Sequence, residues 1–212
     1  MPKLPERFQP YRVETHRQLD EHYPQPAVSA SLVKEIDHLS EHYQAFIERS
    51  PFAVLATTGP GGLDCSPRGD PPGFISVLDS TTLALPDRRG NNRLDSLRNL
   101  VDDSRASLLF LIPGIGETLR INGDAYIVAD PELRQRFEMQ GKLPASVIVF
   151  TVGRVYFQCQ KALVRSGLWR QDTQVPRSDL PSTGEILQAL AKDFDGEQYD
   201  RDYPERLRKT IY

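Results

Sequence analysis

Short runs in which apolar and polar residues alternate fill the middle of the chain, and spacings of three and four residues are confined to a few intervals around them. Alternation is the period of a half-buried strand; the longer spacing is that of a helix. Residues 52–58 read as a strand. The turn composition Gly59-Pro60-Gly61-Gly62 then leads to a returning strand over 63–68, with Asp64, Ser66 and Arg68 on one face and Cys65 and Pro67 on the other. Pro67 cannot donate to a ladder, which predicts an edge or a bulge there. Residues 74–78 and 82–85 form a hairpin around 79–81. Residues 105–112 turn at Pro113-Gly114 and return over 117–128, with Leu119 and Ile121 on one face and Thr118, Arg120 and Asn122 on the other; Gly123 marks a bulge. A long strand covers 145–160. Helical spacing places a leading helix over 31–49 (Leu32, Ile36, Leu39, Tyr43, Phe46, Ile47), a central one near 91–102 (Leu94, Leu97, Val101), a short one over 131–139, and two more over 182–193 and 200–209. Antiparallel runs joined by short turns predict a mainly β fold with flanking helices, a barrel or sandwich and not a βαβ sheet.

Composition changes this picture little. The 212 residues suffice for one generous domain, and the net charge of −3 gives no global reason to expect nucleic acid or an anionic membrane as partner. The two cysteines, Cys65 and Cys159, are far apart, offer neither a disulfide framework nor zinc spacing, and suit a reduced, cytoplasmic setting. No apolar stretch reads as a signal peptide, and none approaches the ~20 residues of a membrane span. Residues 1–30, rich in proline and charge, read as an extended arm. His16 and His22 lie within it, His38 and His42 read as solvated positions on the leading helix, and no metal site is expected.

Charge matters locally. Arg88, Arg89 and Arg93 crowd the start of the central helix, where the helix dipole is already positive and where Asn91 or Asn92 is placed to cap it. Arginines, a flexible Gly90 and free helix N–H groups suit a phosphate. A solvated basic loop, partly neutralised by Asp87 and Asp95, is the alternative.

Several stretches together carry a resemblance: S-P-R-G-D at 66–70, L-A-L-P-D-R-R-G-N-N-R-L-D-S-L-R-N at 83–99, L-F-L-I-P-G at 109–114, E-T-L-R-I-N-G at 117–123 and K-A-L-V-R-S-G-L-W at 161–169. In this order they resemble the pyridoxamine 5′-phosphate oxidase-like family, the FMN-binding split barrels, and within it a subgroup of FMN-dependent enzymes of unassigned reaction. The resemblance runs from about 52 to 169. It implies a six-stranded antiparallel split β-barrel over 31–170, FMN as cofactor, and a homodimer with flavin sites at the interface. Residues 171–212 would then be a helical extension packed on the barrel or on the partner subunit. Carried over position by position, it places Arg68 toward the FMN phosphate and Asn91, Asn92 and Arg93 at the helix start that grips it, with Ser66, Asp87 and Arg88 as further cofactor-binding positions. Thr118 stands where the oxidases have a glutamine reaching the flavin from the other subunit. Arg120 shares that face, and Arg165 and Trp169 match a C-terminal segment that approaches flavin or substrate. The Ser-Arg-Lys tripeptide of the oxidases is absent, and no catalytic base stands out. The function so implied is an FMN-dependent oxidoreductase acting on a small molecule. A flavin carrier or sensor without turnover, and a split-barrel reductase using deazaflavin F420, are the alternatives.

Overall fold

The computed structural model describes residues 3–212, and the chain divides into two units, residues up to 34 and residues 35–212. The first unit is not extended. It contains a 3-10 turn (Glu6–Tyr11) and two short helices, α1 (His16–His22) and α2 (Ser29–Val33), none with a buried residue. Local chemistry overrides the proline-rich composition here. The Thr15 hydroxyl accepts from the Gln18 N–H at 3.2 Å, and the Gln18 side chain accepts from the Glu14 and Thr15 N–H groups, a complete capping box.

The second unit runs α3 (Glu41–Arg49), β1 (Phe52–Gly59), β2 (Gly62–Gly69), β3 (Ser76–Asp79), β4 (Thr82–Asp87), α4 (Asp95–Asp102), β5 (Arg105–Leu111), β6 (Thr118–Val128), α5 (Pro131–Gln135), β7 (Ser146–Gln158), α6 (Lys161–Ser166), α7 (Thr183–Leu190) and α8 (Gly196–Thr210). The leading helix expected over 31–49 is broken. Ile36 pairs with Val155 in β7, each N–H donating to the other's carbonyl at 3.1 and 2.7 Å, so the backbone must be extended there. Helix α3 begins only after Ser40, whose hydroxyl accepts from the Tyr43 N–H at 3.3 Å. His38 and His42 therefore do not share a helix; the His38 ring lies 2.9 Å from the Asp37 carboxylate.

All strands join one antiparallel sheet in the order β2-β1-β5-β6-β7-β4-β3. It has seven strands where the resemblance implied six; the four-residue β3, on the free side of β4, is the strand expected over 74–78. Side chains from both ends of this order, Leu55 on β1 and Leu83 and Leu85 on β4, meet Leu108, Phe110, Leu119, Ile121, Ile148 and Phe150 in a single buried cluster. A flat sheet could not do this; the sheet curls into a split barrel around one core. Alternation holds where it was expected. On β6, Leu119 and Ile121 are fully buried and their neighbours are not; on β2, Asp64, Ser66 and Arg68 face in while Cys65 and Pro67 are exposed. Ser50, buried, donates to the carbonyls of Phe52 and Leu111 at 2.6 and 2.8 Å and fixes the start of β1 against the end of β5.

The pairing of β6 with β7 is irregular at one point. The register shifts between Asn122 and Gly123, the bulge expected from the glycine. A side chain at Gly123 has no room: its Cβ would lie 1.9 Å from the Thr151 carbonyl oxygen and 3.0 Å from the Gly153 nitrogen. Both obstacles are backbone, so nothing can rotate away. Gly123→Ala is expected to lower stability by at least about 2 kcal/mol, measured as a shift in the urea midpoint with an unchanged slope; an unshifted midpoint would show that the bulge relaxes freely.

Candidate cofactor site

The site begins with a half-buried arginine. Arg68 leaves β2, an edge strand, and turns inward. A half-buried guanidinium needs partners for its fork of donors. It donates to the Pro67 carbonyl at 2.9 Å and, through Nη2, to the Ser96 hydroxyl at 3.0 Å. Ser96 itself donates to Asp64 Oδ2 at 2.5 Å, and Ser66 donates to the same oxygen at 2.8 Å. A sheet edge and a helix start are thus tied through one serine and one carboxylate. The hydrogen bond from Ser96, ahead of that from Ser66, holds the Asp64 carboxyl below the usual carboxylate range. Burial pulls the Arg68 guanidinium below the usual arginine range, opposed by the charges of Asp87 and Asp64. Burial pushes the Asp87 carboxyl up, opposed by Arg68.

Helix α4 starts later than the asparagines suggest. Asn91 Oδ1 accepts from the Arg93 N–H at 3.1 Å and closes a local turn, and Asn92 and Leu94 both have left-handed backbones with φ of 59° and 61°. Such residues cannot be helical, so α4 begins at Asp95 with Leu94 as its cap residue. Leucine has no side chain that can cap. No side chain satisfies the first-turn N–H groups, which are left facing the cleft with the positive end of the dipole. The later start also rotates the apolar face: Ser96 and Leu100 are buried and Leu97 is half-buried, whereas Leu94 and Val101 are exposed. Asn99 secures the helix to β1, donating to the Thr57 hydroxyl at 3.2 Å.

Between β2, the loop after β4 and the start of α4 lies a cleft of about 940 Å³. Seven of the expected site residues line it: Ser66, Arg68, Asp87, Arg88, Asn91, Asn92 and Arg93. The arginines are not a bare cluster, however. Arg88 Nε donates to Asp70 Oδ2 at 2.7 Å and its Nη1 to the Phe137 carbonyl at 2.5 Å; the Asp70 side chain is 1% exposed. Arg93 pairs with Asp95 at 2.8 Å in solvent. Arg89 has no acid partner among the described residues. Each cation but one is therefore oriented by its own aspartate, and mutual repulsion is not what holds the loop open.

Four expected residues lie elsewhere. Thr118 and Arg120 are on β6, opposite Gln158 and Tyr156 of β7. The Arg120 guanidinium reaches the Tyr156 hydroxyl at 3.3 Å and lies 5.8 Å from that ring's centre. Arg165 is exposed at the end of α6, and the Trp169 indole N–H donates to the Ile115 carbonyl at 2.7 Å. None of the four lines the cleft of its own chain. Conversely, Asp64, Asp70, Ser96 and Tyr212 are site residues that motif reasoning passed over. Asp64 had a signal, since it shares the period-2 face of Ser66 and Arg68. Tyr212 had none; its hydroxyl meets Asp70 at 2.6 Å across 142 residues. Among the described residues no group of three His, Cys, Asp or Glu could hold a metal, and no helix is long and apolar enough to cross a membrane.

A split barrel of antiparallel strands, with an arginine-lined cleft at an uncapped helix start, defines the class of fold. The family model for pyridoxamine 5′-phosphate oxidase matches residues 39–159, more than half of the chain. The chain belongs to the pyridoxamine 5′-phosphate oxidase family. No curated protein matches it in sequence. Among solved structures it is similar to HupZ of group A Streptococcus, with 15% identity over 57% of this chain and 94% of that one at a TM-score of 0.47. It is also similar to an F420 reductase, with 20% identity over 56% and 98% at 0.40. A third is a protein from Clostridium acetobutylicum related to general stress protein 26, of the pyridoxinephosphate oxidase family, with 12% identity over 56% and 86% at 0.42.

Asp87 offers a test of the cleft's electrostatics. Its carboxyl is raised, so the folded state disfavours its charge. That penalty is absent below the ordinary value of 3.8, develops as pH rises through the raised value, and is fully present at neutral pH. Asp87→Asn is expected to raise the melting temperature at pH 7 and to leave it unchanged near pH 3. A variant equally stabilised at both values, or destabilised at pH 7, would contradict the assignment.

Proposed function

We propose that the chain is an FMN-binding flavoprotein and, as a homodimer, an oxidoreductase that acts on a small molecule. The observation that carries this is the half-buried Arg68 beside the uncapped start of α4. The donor set suits a phosphate: the Arg68 guanidinium and the uncapped, positive start of α4 both belong to the lining of one cleft. The volume of about 940 Å³ is at the upper end of the range for small-molecule sites, so a group larger than phosphate has room behind it. Membership of the pyridoxamine 5′-phosphate oxidase family supports the choice of flavin.

In this reading Arg68 and the α4 N–H groups hold the phosphate, and Ser96, whose hydroxyl proton goes to Asp64, orients Arg68. Arg89 and Arg93, both at the mouth, attract it and close over it. Asp64 fixes Arg68 through Ser96 and never faces the ligand as a free charge. When bound, FMN supplies the electron or hydride transfer; the protein supplies orientation and exclusion of water. Thr118, Arg120, Arg165 and Trp169 serve the cleft of the other subunit, which accounts for their distance from the cleft of their own. Reaction in the cytoplasm is the setting proposed.

Arg68→Ala is expected to weaken FMN at least ~10-fold, since charge-assisted bonds contribute about 1.5–3 kcal/mol, and to leave riboflavin, which has no phosphate, nearly unaffected. Fluorescence titration reads both; equal losses for the two ligands would remove Arg68 from the phosphate site. Light scattering at micromolar concentration is expected to give twice the chain mass of 24.0 kDa, from an interface of more than roughly 2,000 Å². A stable monomer with flavin bound would rule out the shared site.

A further inference from the structure

The chain's last residues return to the same cleft. After α8, Ile211 and Tyr212 line it, on the side of Arg88 and Asp70. Tyr212 is held at both ends. Its hydroxyl donates to Asp70 Oδ1 at 2.6 Å, and its main-chain oxygen accepts from Lys142 Nζ at 2.5 Å. Its ring lies 5.7 Å from the Arg88 guanidinium carbon. The rest of the C-terminal hairpin packs chiefly on itself: Ser182 donates to the Asp200 carboxylate, which also accepts from the Gly184 N–H at 2.8 Å. Tyr212 is thus the point at which this hairpin is fastened to the barrel.

Two readings of such a residue are open to a magnitude test. A plug would fill the cleft. With Tyr212 in place the cleft still measures about 940 Å³, so the residue is a wall. What the wall does follows from Asp70. That carboxylate is buried, its backbone N–H is tied to the Pro51 carbonyl at 3.1 Å, and one of its oxygens orients Arg88. Its other oxygen accepts from the Tyr212 hydroxyl, and both residues belong to the lining of the cleft. Left uncovered, that oxygen would present negative charge to an anion and cancel much of what Arg88 offers. A phenol hydroxyl is the donor that covers it without adding a charge. The interaction with Asp70 raises the Tyr212 phenol above the usual tyrosine range, so the proton stays on the phenol throughout the neutral range.

We propose that Tyr212 is a positioning residue of the phosphate end of the cleft: it masks Asp70 from the bound anion and so keeps Arg88 available to it. The inference rests on the phosphate reading of the cleft but adds a residue and a role to it. No part of the α8 tail lies in the stretches that carry the family resemblance or in the matched residues 39–159.

The experiment compares Tyr212→Phe, Asp70→Asn and the double variant with the full-length wild-type chain. FMN and riboflavin affinities are read by fluorescence titration, and the effect of inorganic phosphate by thermal melt. Tyr212→Phe keeps the ring and removes only the hydroxyl. It is expected to weaken FMN about three- to tenfold, leave riboflavin unchanged, and shrink the stabilisation by inorganic phosphate. In the Asp70→Asn background, where there is no charge to mask, the same change is expected to have no effect on FMN relative to riboflavin. Equal weakening of FMN and riboflavin would show a merely structural wall and overturn the proposal. So would an unchanged FMN affinity, or a Tyr212→Phe effect that persists in full with Asp70→Asn. A wild-type chain that bound FMN with Tyr212→Phe unaltered would overturn this inference alone; one that bound neither FMN nor phosphate would overturn the proposed function with it.

Discussion

The hydrogen-bonded chain from Arg68 through Ser96 to Asp64 is the constraint on which the rest of the site depends. A guanidinium drawn inward from an edge strand must be partnered, and its partner sits on the first turn of α4. That one requirement sets where the helix starts relative to the sheet and which of its N–H groups face the opening. Asn99, packed on β1, then fixes the helix along its length. Beyond the link through Ser96, α4 is tied to β2 only by the long contact from the Asn99 amide to the Gly62 carbonyl at 3.4 Å among the described residues. The cleft is less a cavity left by imperfect packing than the space kept by one half-buried ion and its acceptors.

The charge pattern follows the same logic. A run of arginines in a sequence looks like a concentration of positive charge, but three of the four in this cleft are matched to an aspartate or its serine relay: Arg68 to Asp64, Arg88 to Asp70, Arg93 to Asp95. Matching costs net attraction and gains orientation. A planar fork aimed by a buried carboxylate loses little freedom when it meets an anion, which is where much of the gain in a prearranged site comes from.

How much of this could be read from the sequence depends on the range of the interaction. The strands were legible because alternation is local: the faces of β2 and β6, the bulge at Gly123 and the edge character implied by Pro67 all follow from neighbours within a few residues. The split-barrel class and the seven cleft residues were legible from motifs in order. The break in the leading helix was not, because Ile36 is extended only by virtue of Val155, far along the chain. The start of α4 was misplaced for a subtler reason. Asn91 has a capping side chain but spends it on the Arg93 N–H, one turn too early. The helices of the first unit were hidden by composition, although the Thr15 and Gln18 pair was available as a capping signature. Asp70 stands at the end of the 66–70 motif, but its meeting with Tyr212 is purely tertiary and lies beyond any sequence pattern.

Pro67 carries a consequence for how the sheet can and cannot be extended. β2 is an edge, and an exposed edge invites a strand from another molecule to add to it. At mid-strand, however, proline has no N–H to give, and its carbonyl already accepts from Arg68 at 2.9 Å. An incoming strand meets neither a donor nor a free acceptor there. The same arginine that organises the cleft therefore also interrupts this edge at Pro67, and an added strand could not pair unbroken along β2.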